Sequence, residues 1–175
     1  MRLRYNGSKE KLNSAYLISA ITSQLESTYS EERNTTGGNG KYKFITNVDA
    51  RFIDDIKDKK KSEHLLEISD GKEVSGLYGK ADKIGEKKVS LNSKYVQNMI
   101  DGKDNNTIPH KFGHTQGLLH PDEKMTYLKG VVPWNTRNQH MNGSEIKKNP
   151  YNIMRSGDSG LLSDKNLTKI TKDQI

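Results

Sequence analysis

The sequence predicts an α+β fold in a single domain, and three observations carry that prediction. A long amphipathic segment opens the chain, a block of short alternating segments follows, and a second helical segment comes after them. With 175 residues the chain is long enough for one domain with a substantial core. Hydrophobic residues make up only 31% and mean hydropathy is −0.92, so loops and solvated faces must be extensive.

The elements follow in order. From Ser8 to about Ser30, Leu17, Ile21 and Leu25 recur at helical spacing with Ile18 and Tyr29 beside them, and Ser8 is the expected N-cap. Residues 34–40 are polar and glycine-rich, hence a loop. Tyr42 to Phe52 alternates as a strand, with Phe44, Thr46 and Val48 on one face. Asp54 to Lys61 is too charged for a core strand and reads as a loop or short helix. His64 to Ser69 forms the next strand, ending in an Asp70-Gly71 turn. Val74–Ala81 and Lys88–Asn92 form two more, joined through Gly85. Tyr95, Val96, Met99 and Ile100 predict a short helix. Residues 121–150, which include Trp134, show no period, and Leu161–Ile175 predicts a closing helix capped by Ser163 or Asp164.

Several classes are disfavoured. No apolar run is long enough to span a membrane, and Met1 to Ser8 lacks the apolar stretch of a secretory signal. Zero cysteines exclude disulfides and an inhibitory thiol within the chain. The net charge of +7 invites a nucleic-acid hypothesis. However, the lysines at 57–61 and 87–88 are interrupted or flanked by acids, and no aromatic-plus-basic platform is evident, so nucleic acid ranks last among the partners.

The chemistry concentrates in one place. Three of the five histidines fall in the run His110-Lys111-Phe112-Gly113-His114-Thr115-Gln116-Gly117-Leu118-Leu119-His120-Pro121. On a helix His110 and His114 project from one face, a turn apart. Gly117 suits the left-handed residue that ends such a helix, and His120 then arrives as a third imidazole. Three imidazoles on one tetrahedral zinc leave a position open. These offsets would arise by chance about three times in ten thousand chains of this composition. Pro109 suits the first helical turn. His64 and His140 are assigned capping or surface roles in preference to a second metal.

Downstream, Asn152-Ile153-Met154-Arg155-Ser156-Gly157 places a methionine among turn-forming residues, 34 positions beyond His120. With the histidine run it resembles the metzincin clan of zinc endopeptidases, over residues 107 to 157. The resemblance implies a twisted, mostly parallel sheet with an antiparallel edge strand, an active-site helix, a Met-turn and a C-terminal helix. It divides the single domain, residues 1–175, into an upper part to about 117 and a lower part over about 118–175. It implies one catalytic-type zinc on His110, His114 and His120, with Met154 as a packing residue beneath. A protein or peptide substrate would pair with the edge strand; position in the chain selects Gly76, Leu77, Tyr78, Gly79, Lys80 and Ala81 for it. Some metzincins carry a tyrosine ligand two residues after the methionine; Ser156 stands there, so that role is not carried over, and Tyr151 has none.

One position departs from the pattern. The clan has glutamate after the first histidine, as the general base that takes a proton from water and hands it to the leaving amine. Here it is Lys111, which at an ordinary pKa of ~10.4 has no lone pair to accept with. Loss of a positioned base costs about 10²–10⁴-fold, so an inactive or severely impaired enzyme is expected. Alternatively a neutral Lys111 amine becomes a fourth ligand and closes the site. Two accounts of the chain stand: a pseudopeptidase kept for binding a peptide or protein, or an inactive form of a harmful peptidase. The run from Asn152 to Leu162 with Leu167 to Ile170 is similar to C-terminal metallopeptidase modules of bacterial polymorphic (Rhs-type) toxins. That likeness implies a domain that is cytoplasmic as expressed or secreted within a larger effector, and an immunity or inhibitor protein as partner.

Overall fold

The computed structural model describes residues 1–6, 13–34, 41–118, 120 and 154. Their order is β1 (Arg2–Asn6), α1 (Ser14–Tyr29), β2 (Glu31–Asn34), β3 (Lys41–Phe44), β4 (Arg51–Phe52), β5 (Leu65–Ser69), β6 (Gly79–Ala81), β7 (Lys88–Asn92), α2 (Ser93–Ile100) and α3 (Thr107–Thr115). The class is α+β. A five-stranded mixed sheet runs β4-β1-β5-β7-β6, with the first four strands parallel and β6 antiparallel at the edge. Among the described residues no helix is long and apolar enough to cross a membrane.

Register explains the core. Leu3, Leu66, Val89 and Ala81 form one row across the sheet, and Tyr5, Ile68, Leu91 and Gly79 form the next but one. Side chains alternate along a strand, so both rows share a face. Leu17, Ile21 and Leu25 of α1, Val96 and Met99 of α2, and Ile108 of α3 pack with this face in one cluster. The intervening row, Arg4, Glu67 and Ser90, faces the other way. Glu67 is 3% exposed, and Lys88 Nζ lies 3.0 Å and Arg4 Nε 3.8 Å from its carboxylate. A carboxylate this buried requires such partners.

Several sequence expectations need correction. Strand β1 was not anticipated: five residues with two arginines look polar, yet Arg2 is buried against Glu63 and Asp49. Helix α1 begins at Ser14 rather than near Ser8, because the Asn13 side chain accepts from Ala15 N and Tyr16 N. The single strand expected over 42–52 is two. β3 pairs antiparallel with β2 in a separate hairpin, while β4 joins the large sheet. Phe44 is consequently 50% exposed, and Thr46 is held by Tyr29 O and Ser30 Oγ. The charged stretch after it holds a short 3₁₀ turn, Ile56–Asp58. The strand expected from Val74 begins only at Gly79. Lys72–Val74 is a 3₁₀ turn, and Gly76, at φ +74°, breaks the extended chain. The expected lower part is described only at Leu118, His120 and Met154. The C-terminal helix, Ser8, Trp134, His140, Tyr151 and Ser156 lie outside the described residues.

The N-cap correction is testable. Asn13→Ala is expected to lower unfolding free energy by about 1 kcal/mol, measured as a shift in urea midpoint at constant slope; an unchanged midpoint would remove Asn13 from that role.

Candidate metal centre

Helix α3 is built to begin and end at fixed places. At its start, Asp104 Oδ1 accepts from Asn106 N (3.1 Å) and Thr107 N (3.0 Å), placing a carboxylate on otherwise orphaned amides. Pro109 falls in the first turn, where its missing N–H is no loss. Ile108 and Phe112, four apart, turn toward the core; His110 and His114, also four apart, form a second stripe. At the end Gly117 adopts φ +89°. Leu118 N donates to Gly113 O (3.0 Å) and Gly117 N to His114 O (3.0 Å), the paired bonds of a Schellman turn.

That reversal brings His120 back onto the stripe. The Nε2 atoms of His110, His114 and His120 stand 3.0, 3.1 and 3.2 Å from one another. His110 is 2% and His114 8% exposed. Imidazoles sharing a tetrahedral ion at 2.0–2.1 Å have nitrogens about 3.3 Å apart, so the three are close enough to bind one metal ion. The turn also sets the His114 tautomer. Its Nδ1 is 2.9 Å from Leu118 O, a carbonyl that can only accept, so Nδ1 carries the proton and Nε2 presents its lone pair. Burial first, then His120 and Lys111, push the His114 pKa down to about 4; the ring is neutral at pH 7, as a ligand must be.

Neighbours fix the helix from several sides. The Tyr29 hydroxyl donates to Pro109 O (2.9 Å), its ring meets Phe112 edge-on, and burial raises its pKa well above the ordinary range. Gly85 N, in the loop joining β6 to β7, donates to His114 O (2.8 Å). Met154 is fully buried and packs with Leu118. A Cβ on Gly113 would come 2.5 Å from Met154 Sδ, 3.2 Å from Tyr29 Oη and 3.3 Å from Leu118 Cδ1. The methionine therefore abuts the helix one residue before His114. Lys111 is half-buried on α3, and its charge is felt at His114.

No family model matches the chain, and no curated protein or solved structure matches it. The account of the site therefore rests on its own residues. Of those singled out from sequence, the structure brings together His110, His114, His120, Gly117 and Met154 around one end of α3. It also sets the edge strand beside the same helix. Gly79 is pressed between Leu91 and Ser90 of β7 and Thr107 of α3, where a Cβ would meet atoms at 2.9–3.4 Å. Only Gly79, Lys80 and Ala81 of the proposed substrate segment are strand; Gly76, Leu77 and Tyr78 belong to the turn before it. Sequence reasoning missed the roles of Leu118 O, Tyr29, Gly85 and Gly113. Only Gly113 left a signal, a glycine inside a helix where alanine would be favoured.

His64 stands apart from the triad. Its Nε2 accepts from Gln116 Nε2 (3.0 Å), its ring lies 4.8 Å from that of Phe112, and its carbonyl accepts from Arg2 N. It ties the start of β5 to the end of α3. Burial, then Lys87, the N-terminus and Lys59, lower its pKa from 6.5 to about 4. The unfolded chain then takes up a proton near pH 6.5 that the folded chain refuses until about pH 4. This group's contribution is thus complete above pH 6.5 and is lost as pH falls through that window. Chemical unfolding at pH 7.5 and 5 is expected to show a larger loss for the parent than for His64→Gln; parallel behaviour would refute the assignment.

Gly113→Ala is expected to destabilise by about 1–3 kcal/mol through overpacking, reversing the gain of roughly 0.5–1 kcal/mol that alanine brings to an open helix site. Thermal melting of the pair decides the sign.

Proposed function

We propose that this chain is a zinc-peptidase scaffold of the metzincin type whose hydrolytic step is disabled at Lys111. The observation that carries the reading is the convergence of His110, His114 and His120 Nε2 within 3.2 Å. Three imidazole nitrogens, with His114 oriented by Leu118 O, suit zinc, although imidazole also serves copper, iron and nickel. Further support comes from the left-handed Gly117 between the ligands, Met154 against the helix, and an antiparallel edge strand alongside. Among the described residues β6 pairs only with β7, so its outer edge suits an extended peptide by strand addition.

A zinc ion held there supplies Lewis acidity, acidifying water and polarising a carbonyl. The chain's own residues do the rest. His114 stays neutral because burial lowers its pKa, its bond to Leu118 O fixes which ring nitrogen faces the centre, and β6 offers backbone groups to orient a peptide. At the position that would move the proton stands an ammonium, which donates and cannot accept. The substrate class under this reading is a protein or peptide.

Lys111→Glu is expected to produce proteolysis of an unstructured protein that a chelator abolishes, at least 10²-fold above the parent chain. Folded, metal-loaded Lys111→Glu with no such activity would overturn the peptidase reading. It would favour a second reading that Lys111 itself recommends, a non-catalytic module binding a peptide or protein partner.

A further inference from the structure

Helix α1 carries more than its core stripe. Tyr16 and Ser23, two turns apart, share a second face of it and line a pocket of about 300 Å³. Met99 and Ile100, at the end of α2, and Asn105 in the loop beyond it line the same space. The volume lies at the low end for ligand sites, so it suits a molecule smaller than drug-sized. None of the chain's 29 basic or 22 acidic residues lines it. Nothing there offsets the desolvation of a charge, so anions and cations are both disfavoured.

One polar group sets what an uncharged ligand must offer. Gln24, also in the lining, is 7% exposed. Its Nε2 donates to Met99 O (3.1 Å), Asp104 O (3.1 Å) and Asn105 Oδ1 (3.3 Å). Three acceptors around that nitrogen fix which way the amide is turned. Gln24 Oε1 is buried with no hydrogen-bond partner, and a donor brought to such an oxygen recovers the cost of burying it bare. The Asn105 amide does not compete, since it accepts from Gln24 and donates to Gly102 O. The Ser23 hydroxyl can donate to a ligand carbonyl, and Tyr16, 65% exposed, presents its ring at the rim.

A donor, an acceptor and a flat apolar body in one uncharged molecule describe a primary carboxamide on a ring. We infer that this pocket binds a small aromatic carboxamide, whose N–H donates to Gln24 Oε1 while its ring lies against Tyr16, Met99 and Ile100. The site stands independently of the metal centre, because none of the three histidines lines it. No bond in the ligand is broken.

Benzamide and three relatives of similar outline test this. N,N-Dimethylbenzamide lacks the donor, benzoate carries a negative charge and benzylammonium a positive one. Each is titrated into the ¹⁵N-labelled chain at constant pH and ionic strength while amide NMR shifts are followed. Benzamide is expected to saturate with an affinity on the order of 1 mM or tighter, moving the resonances of Ser23, Gly102, Asn105 and the Gln24 side-chain amide. The other three are expected to bind at least about 10-fold more weakly, the loss of one hydrogen bond. Gln24→Met removes the acceptor and is expected to weaken benzamide to the same degree. Ser23→Leu, at an exposed position on α1, fills the pocket without touching the Gln24 bonds, so it decides the matter even where Gln24→Met does not fold; it is expected to abolish the response. A folded parent with no saturable response to benzamide overturns the inference. So does N,N-dimethylbenzamide, benzoate or benzylammonium bound as tightly as benzamide, or benzamide bound undiminished by folded Ser23→Leu.

Discussion

Helix α3 has to stop between His114 and His120. At 100° per residue, a continued helix would carry His120 about 240° around the axis and about 9 Å along it from His114, away from the other two imidazoles. Gly117 in the left-handed region prevents this, and the turn it creates does two things at once. It swings His120 back, and it aims the Leu118 carbonyl at His114 Nδ1, so that a single backbone reversal fixes both one imidazole's position and its neighbour's tautomer. Any other residue at 117 would carry a Cβ in a conformation that L-residues seldom adopt.

A turn at the end of a nine-residue helix holds a geometry only if the helix itself is held. The rest of the described fold does that. Tyr29, at the last position of α1, reaches Pro109; the β6–β7 loop reaches His114 O through Gly85; His64, just ahead of β5, reaches Gln116; and Met154 fills the space that Gly113 leaves. These contacts come from four separate stretches of chain and act at successive turns of α3. The sheet is thus a platform that sets where the helix lies, while the ligands themselves come from one short run.

Legibility from sequence tracks how local each cause is. The histidine stripe and the Gly117 reversal are encoded within eleven residues and were readable as such. So were β5, β7 and α2, where composition and period agree with burial. Strand β1 is hidden because its arginines are paired far along the chain, Arg2 with Asp49 and Glu63 and Arg4 with Glu67. Alternation over 42–52 was real but misled, since pairing with β2 drew Phe44 out of the main sheet. The Asn13 cap was passed over for Ser8 because the apolar spacing of α1 does not mark which polar residue ahead of it turns inward. Tyr29, Gly85 and His64 reach α3 across long separations, and nothing in their local sequence announces them.

Placing all three imidazoles in one continuous run has a thermodynamic consequence. Closing so short a loop around an ion costs little chain entropy even when the sheet has not formed. An unfolded chain carrying such a run would retain an affinity of its own, and an ion that binds both states stabilises the folded one only by the difference. A centre whose ligands were gathered from distant strands would couple metal uptake tightly to folding. A run such as this one would separate them, and an ion bound to it would be free to arrive early, while the chain is still finding the platform that will hold α3.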